Sequence, residues 1–434
     1  MKLEEMILTT LKNEVVPVTG CTEPVAVTLC CAKAREILGE DVKSAEVFVS
    51  PNIYKNGLAV GVPHTGESGL DIASAMGIIS GDSSKGLGIL DFMEKDVLKK
   101  AKVFLSEGRL GLNIEDTKEK IYIRVNLKGE KSTSTVIIKG KHDNITYVEK
   151  DKIILKDSKD DNSTGNNSCS KEIYTYSIKD IVESIEKIPH SELAFMLDGL
   201  LMNEKIANYG LKNPLGMEVG FTLQSYVKNG ILASDLMNDA KILTAAASDA
   251  RMSGANLPVM SSNGSGNNGL TAILPIVAYK NKFKTDDERL AKALAMSHII
   301  NSYVKHYIGR LSALCGCGVA AGTGAGVAIT WLMGGKAKEI EGTIKNIIAD
   351  ISGMICDGAK IGCALKLSTS ASVAIQGALL SLAGKVAPDD NGIVSDTAEE
   401  SIKNLRDVAV IGMEKADSVI IKAMQRKTPK MANF

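Results

Sequence analysis

Near the start of the chain, Leu3, Met6, Ile7 and Leu11 follow the spacing of one helical face, predicting a helix over residues 2–14. Pro17 and Gly20 end it, and Thr22-Glu23-Pro24 opens a second helix, which puts Cys21 at or just before a helix N-terminus. From Ala45 to about Lys141 the apolar period shortens to two. AEVFVS, LAVGVP, KIYIRVNLKG and STVIIKG read as strands, with HTGESGLDIASAMGIISG as a glycine-rich loop entering a helix. Residues 151–170, DKIILKDSKDDNSTGNNSCS, are polar and read as a solvated linker in which Cys169 is incidental. Beyond Ile173 the helical period returns in SIKDIVESIEKI, SELAFMLDGLLMNEKIANYG, DERLAKALAMSHIINSYVKHYIG and GTIKNIIADISGMI. Between these lie small-residue helices such as LTAAASDARMSG and ASVAIQGALLSLAG, whose Ala and Gly positions let facing backbones approach closely.

This pattern predicts an α+β fold: a small N-terminal α+β domain over 1–160, then a larger, mostly α-helical domain over 161–434. A chain of 434 residues exceeds the size at which one core stops growing, which also favours two domains. Lys plus Arg and Asp plus Glu number 51 each, so no net field draws nucleic acid or an anionic membrane. Aromatic residues make up only 4%, too few for platforms on which single-stranded nucleic acid could stack. The N-terminus lacks the basic and apolar regions of a signal peptide, and no uninterrupted apolar run is long enough to span a bilayer. The expected location is the cytoplasm, where thiols stay reduced, so the eight cysteines are expected to be buried, catalytic or metal-bound. Cys30 and Cys31, inside the second helix, suit small core residues.

Four cysteines gather in one stretch. Cys315 and Cys317 precede a glycine-rich run, and Cys356 and Cys363 flank DGAKIG some forty residues later. The spacings are Cys-x-Cys and Cys-x6-Cys, a poor match to the Cys-x2-Cys knuckles of closed zinc sites. Iron–sulfur clusters also take thiolates, with variable spacing. Three cysteines on a four-iron cluster would leave one iron free to act as a Lewis acid. Cys21 is separate from this set, at a helix N-terminus expected to lower its pKa.

The loop SSNGSGNNG satisfies G-x-G-x-x-G with Gly264, Gly266 and Gly269, but a helix and a proline precede it where a dinucleotide site needs a strand. Two uses remain for it. Ser261, Ser262 and Asn263 before a helix could offer N–H groups to a small carboxylate, or the glycines could serve a close helix–loop crossing. Arg251 in ASDARMSG could clamp a carboxylate, although a local pair with Asp249 is the default. His64, His298 and His306 are expected to be structural.

Taken together, GCTEPVAV, ASDARMSG, SSNGSGNNG, LSALCGCGVAAGTGAG, ITWLMGG and GMICDGAKIGCALK resemble the L-cysteine desulfidases, over nearly the whole chain. The helical half is similar, more distantly, to the catalytic domain of iron–sulfur L-serine dehydratases. The resemblance implies an oxygen-sensitive [4Fe-4S] enzyme that converts L-cysteine to hydrogen sulfide, ammonia and pyruvate, with no pyridoxal phosphate. It implies three cluster ligands: Cys356, Cys363 and one of Cys315 and Cys317. It implies Cys21 of GCTEP as the proton acceptor. Arg251, Ser262 and Asn263 are then the candidates for holding the substrate carboxylate. The alternatives are an iron–sulfur L-serine dehydratase and a non-catalytic iron–sulfur or zinc-binding redox sensor. An Ala/Gly-rich bundle is also compatible with a homodimer.

Overall fold

The computed structural model describes residues 2–94, 96–158 and 172–427. Its strands are β1 (Pro17–Val18), β2 (Ser44–Val49), β3 (Leu110–Ile114), β4 (Tyr122–Lys128), β5 (Thr133–Lys139), β6 (Ile145–Lys150), β7 (Ile153–Asp157) and β8 (Val259–Met260). Six of them form one sheet in the order β3-β2-β4-β5-β6-β7, antiparallel apart from the β2–β3 pair. Alternation decides which face is covered. Val47 and Val49, Ile123, Val125 and Leu127, and Val136 and Ile138 point inward beneath the helix Thr22–Leu38. The helix Leu70–Ile79 packs beside it, and Gly77 has no room for a β-carbon, which would stand 2.3 Å from the Thr28 carbonyl oxygen. Cys30 and Cys31 lie fully inside this core.

The other core is helical, as expected. Helix Asp287–Ile308 runs through it against Val319–Leu332, and Gly324 lets the two backbones nearly touch. A β-carbon there would sit 2.2 Å from the Ser297 carbonyl oxygen. Gly210 and Gly220 do the same for two helices that lie on Leu236–Met252. The cores exchange their ends. Met6, Ile7 and Leu11 of the helix Leu3–Glu14 belong to the helical core, while Ile421 of the last helix, Ala416–Lys427, reaches the sheet core. The boundary expected near residue 160, and Cys169, lie outside the described residues.

Three features depart from the pattern reading. LAVGVP is not a strand: it makes single bridges, Ala59 with Lys360 and Gly61 with Ser68, and threads between the two cores. Three strands, β3, β6 and β7, were masked by weak alternation, and β7 opens the expected linker as an edge strand exposed along its whole length. Finally, Cys363–Leu382 is long and apolar enough to cross a bilayer, yet just over half of its apolar window is buried in the protein.

Candidate active site

The short pairing of β1 with β8 assembles the site. It sets Pro17 against Met260 and Val18 against Val259. The zipper continues as Ser261 N–H donates to the Val16 carbonyl at 2.9 Å and Asn263 N–H to the Glu14 carbonyl at 3.1 Å. Gly20 then turns with φ +69°, its missing β-carbon leaving room for Pro63, and delivers Cys21 as the N-cap of Thr22–Leu38.

Arg251 faces this turn. It is buried, donates from Nη2 to the Gly20 carbonyl at 2.5 Å and from Nη1 to Asn267 Oδ1 at 3.0 Å, and its Nε has no protein partner. The expected pair with Asp249 does not form. Residues two apart on a helix point to different sides, and Asp249 instead accepts from Gly220 N–H at 3.1 Å, at the start of helix Val219–Lys228. Burial pushes the Cys21 thiol up to about 11, and the charge of Arg251 is the largest influence pulling it down. The lowering expected from the helix N-terminus is thus outweighed by desolvation.

The SSNGSGNNG loop is a crossing. A β-carbon on Gly269 would lie 1.9 Å from the Met260 carbonyl oxygen, and one on Gly266 would lie 2.4 Å from Arg251 Nε. Ser262 and Asn263 are buried and turned inward. Ser262 Oγ accepts from Asn301 Nδ2 at 2.8 Å and from Asn263 Nδ2 at 3.2 Å, and it meets His298 Nδ1 at 2.8 Å. Asn263, at φ +51°, accepts from Ser302 Oγ at 2.7 Å. Ser262 Oγ is thus fully engaged by protein partners, while Asn263 keeps one amide hydrogen beyond these bonds. Burial keeps His298 neutral, its pKa pushed down to about 3, and its role is to hold Ser262. His64 pairs with Asp91 and His306 stacks on Tyr174.

The four late cysteines converge. Leu314 and Ile355 form a bridge, Cys315 N–H donates to the Met354 carbonyl at 2.8 Å, and Cys356 N–H donates to the Ala313 carbonyl at 2.7 Å. Cys363 starts the helix Cys363–Leu382, and its thiol donates to the Gly358 carbonyl at 3.7 Å. All four are free thiols close enough to influence one another's ionisation. Their exposure separates them: Cys317, Cys356 and Cys363 are part-exposed, whereas Cys315 is buried. Cys317 also lies 3.4 Å from Ser265 Oγ, with the cations Lys305 and Arg251 both acting on it. Burial raises the Cys317 thiol and these two charges oppose that. Cys363 packs against the small cluster of Cys21, Val60 and Met252, which ties the late thiols to the early one.

Between Cys356 and Cys363 the strap is braced by Asp357, which ion-pairs with Lys360 and Lys366. Although burial pushes its carboxyl up, these pairs bring it down to about 2. Among the described residues, no three Cys, His, Asp or Glu side chains close on a single metal ion. Lys305 and Ser265 are site residues that sequence pattern did not mark, because each reads as an ordinary helix or cap position.

A family described as serine dehydratase alpha chain matches residues 84–422. A UPF0597 protein of Alkaliphilus oremlandii is 56% identical over 98% of this chain and 99% of its own length. One from Clostridioides difficile is 51% identical over 95% of this chain and 98% of its own. One from Caldanaerobacter subterraneus is 43% identical over 98% and the full length. With a match over most of its length, including every late cysteine, the chain belongs to the serine dehydratase alpha-chain family.

Proposed function

We propose that this protein is an L-cysteine desulfidase, a lyase that eliminates sulfide from L-cysteine. The observation that carries the reading is the meeting of three part-exposed thiols, Cys317, Cys356 and Cys363, with a fourth thiol, Cys21, delivered from the opposite end of the chain. The donor set suits a [4Fe-4S] cluster better than a single ion. It is all thiol and unpaired, with Cys317 on one turn and Cys356 and Cys363 at the two ends of the strap. Cys317, Cys356 and Cys363 would hold the cluster, with Cys315 as the buried wall behind them. When bound, the cluster would supply an open iron as Lewis acid toward the substrate sulfur.

The remaining work falls to the chain. Cys21 takes the Cα proton in its deprotonated form, which burial disfavours and the Arg251 charge partly restores. Arg251 holds the Gly20 carbonyl and so fixes Cys21 at the site, and its charge favours the thiolate. Ser265, part-exposed on the turn beside Cys317, borders the reacting centre. Loss of the Cα proton and of sulfide leaves 2-aminoacrylate, which tautomerises and hydrolyses in water to pyruvate and ammonia. The Ser262 and Asn263 hydrogen bonds keep the loop rigid beneath Ser265.

The family description favours a second reading, L-serine dehydratase, with hydroxide leaving in place of sulfide. Anaerobic purification and cluster reconstitution, followed by parallel assays of sulfide and pyruvate from L-cysteine and pyruvate from L-serine, separate the two. Sulfide from L-cysteine with little turnover of L-serine is the expected result. Turnover of L-serine alone selects the second reading, and iron-loaded protein active on neither amino acid removes both.

A further inference from the structure

Lys305 sits in the last turn of Asp287–Ile308 and is only 6% exposed. An ammonium withdrawn from water loses hydration that a partner must replace. Among the described residues no hydrogen bond holds its Nζ. The carboxylate with most influence on it is Glu14, and Glu14 is already paired with Arg310. The Cys315–Cys317 turn is laid over this ammonium: a β-carbon on Gly316 would lie 3.6 Å from Lys305 Cε and 3.8 Å from Nζ. Two buried cations therefore flank Cys317. Arg251 spends Nη2 on the Gly20 carbonyl and Nη1 on Asn267, keeping only Nε, which Gly266 covers, whereas the whole Lys305 ammonium is uncommitted.

We propose that Lys305 binds the carboxylate of the amino-acid substrate, the group that Ser262, filled by three protein partners, has no capacity left to hold. The proposal rests on the reading of the thiol trio as the substrate site. A lysine suits the task because its ammonium is a point charge that can turn its donors toward one carboxylate oxygen. A thiol compound lacking a carboxylate gains nothing from it.

The test uses anaerobic, cluster-loaded protein and two thiol probes, read by calorimetry with iron measured in parallel. 3-Mercaptopropionate carries a carboxylate and cysteamine does not. Lys305→Met is expected to weaken 3-mercaptopropionate by roughly 10- to 100-fold, the range for a lost hydrogen bond to a charged group. Cysteamine affinity and iron content should stay unchanged, and Lys305→Arg should restore part of the loss. Lys305→Met should also melt no lower as apoprotein, because an apolar chain of similar length replaces an uncompensated charge. Where Lys305→Met does not fold, Lys305→Gln carries the same expectation. Loss of iron in the variant would overturn the proposal, assigning Lys305 to the ligand thiolates. Equal weakening of both probes, no weakening of either, or a wild-type preference for cysteamine would overturn it too. The readout is binding, so it is separable from turnover: wild-type protein that binds 3-mercaptopropionate through Lys305 yet releases no sulfide removes only the desulfidase reading.

Discussion

Lys55 Nζ donates to the Cys356 carbonyl at 3.1 Å and to Asp417 Oδ1 at 2.6 Å. One ammonium, 2% exposed, thus joins the helix Pro51–Gly57, the cysteine strap and the last helix of the chain. The strap carries two of the three proposed ligands, so the sheet core and the last helix both steady the proposed cluster site.

Removing that brace should be visible in the metal before it is visible in the fold. Lys55→Ala leaves Asp417 and the Cys356 carbonyl without their partner, at a cost on the order of 2 kcal/mol. Asp417 is part-exposed and can rehydrate, which limits the loss. The expected outcome is a lower melting temperature and faster loss of iron to a chelator, with Asp417→Asn milder in both. Iron retention equal to wild type would show that the strap does not depend on Lys55.

Gly358 offers a sharper version of the same contact. Its φ is +95°, and a β-carbon there would meet the Lys55 carbonyl oxygen at 2.1 Å. Gly353, nearby in sequence, has nothing within 4 Å of the same construction. Gly358→Ala should therefore destabilise by roughly 3 kcal/mol, from strain and clash together, and Gly353→Ala by well under 1 kcal/mol. Urea denaturation of both apoproteins measures the difference; equal midpoints would contradict the close approach.

Much of this was legible from pattern alone, and the failures have physical causes. The strands β2, β4 and β5 alternate because one face is buried, and they were readable. β7 is exposed throughout, so nothing in its sequence imposes a period of two. Glycines in SSNGSGNNG suggested either an anion site or a crossing, and the Met260 and Arg251 approaches select the crossing. Cys21, Arg251 and the late cysteines were singled out by residue type. Their meeting was not derivable from spacing, since it depends on the two-residue pairing of β1 with β8 across some 240 positions. Lys305 escaped notice because a lysine in a helical repeat reads as solvated surface until its burial is known.

Arg251 should not tolerate lysine. Its planar fork reaches Gly20 and Asn267 at once, and a single ammonium cannot keep both bonds in the same plane. Arg251→Lys is expected to lower kcat/KM by about 100-fold, the scale of a lost preorganised charge contact. Stability should fall by only about 1 kcal/mol, since a buried positive charge is kept. Steady-state kinetics on L-cysteine, normalised to iron content, makes the measurement. An unchanged kcat/KM would take Arg251 out of the site.

Asp249 provides a test in pH alone, away from the thiols. It accepts from Gly220 N–H through Oδ2, while Oδ1 is buried without a partner. Burial pushes its carboxyl up from 3.8 to about 6, against the pull of the N–H groups of Gly220, Met217 and Val219. The folded protein therefore holds this proton more tightly than the unfolded chain does. The sign follows: below about pH 4 both states are protonated and ionisation costs nothing, and as pH rises toward 6 the unfolded chain gains its charge freely while the folded protein gains it at a cost. Asp249→Asn removes the ionisation and keeps an oxygen for Gly220 N–H. Its stability relative to wild type should climb between pH 4 and pH 6 and stay level above that. Urea midpoints for both proteins from pH 4 to pH 8 trace the curve. A gap that does not change with pH would mean that the folded Asp249 carboxyl ionises as easily as it does in the unfolded chain.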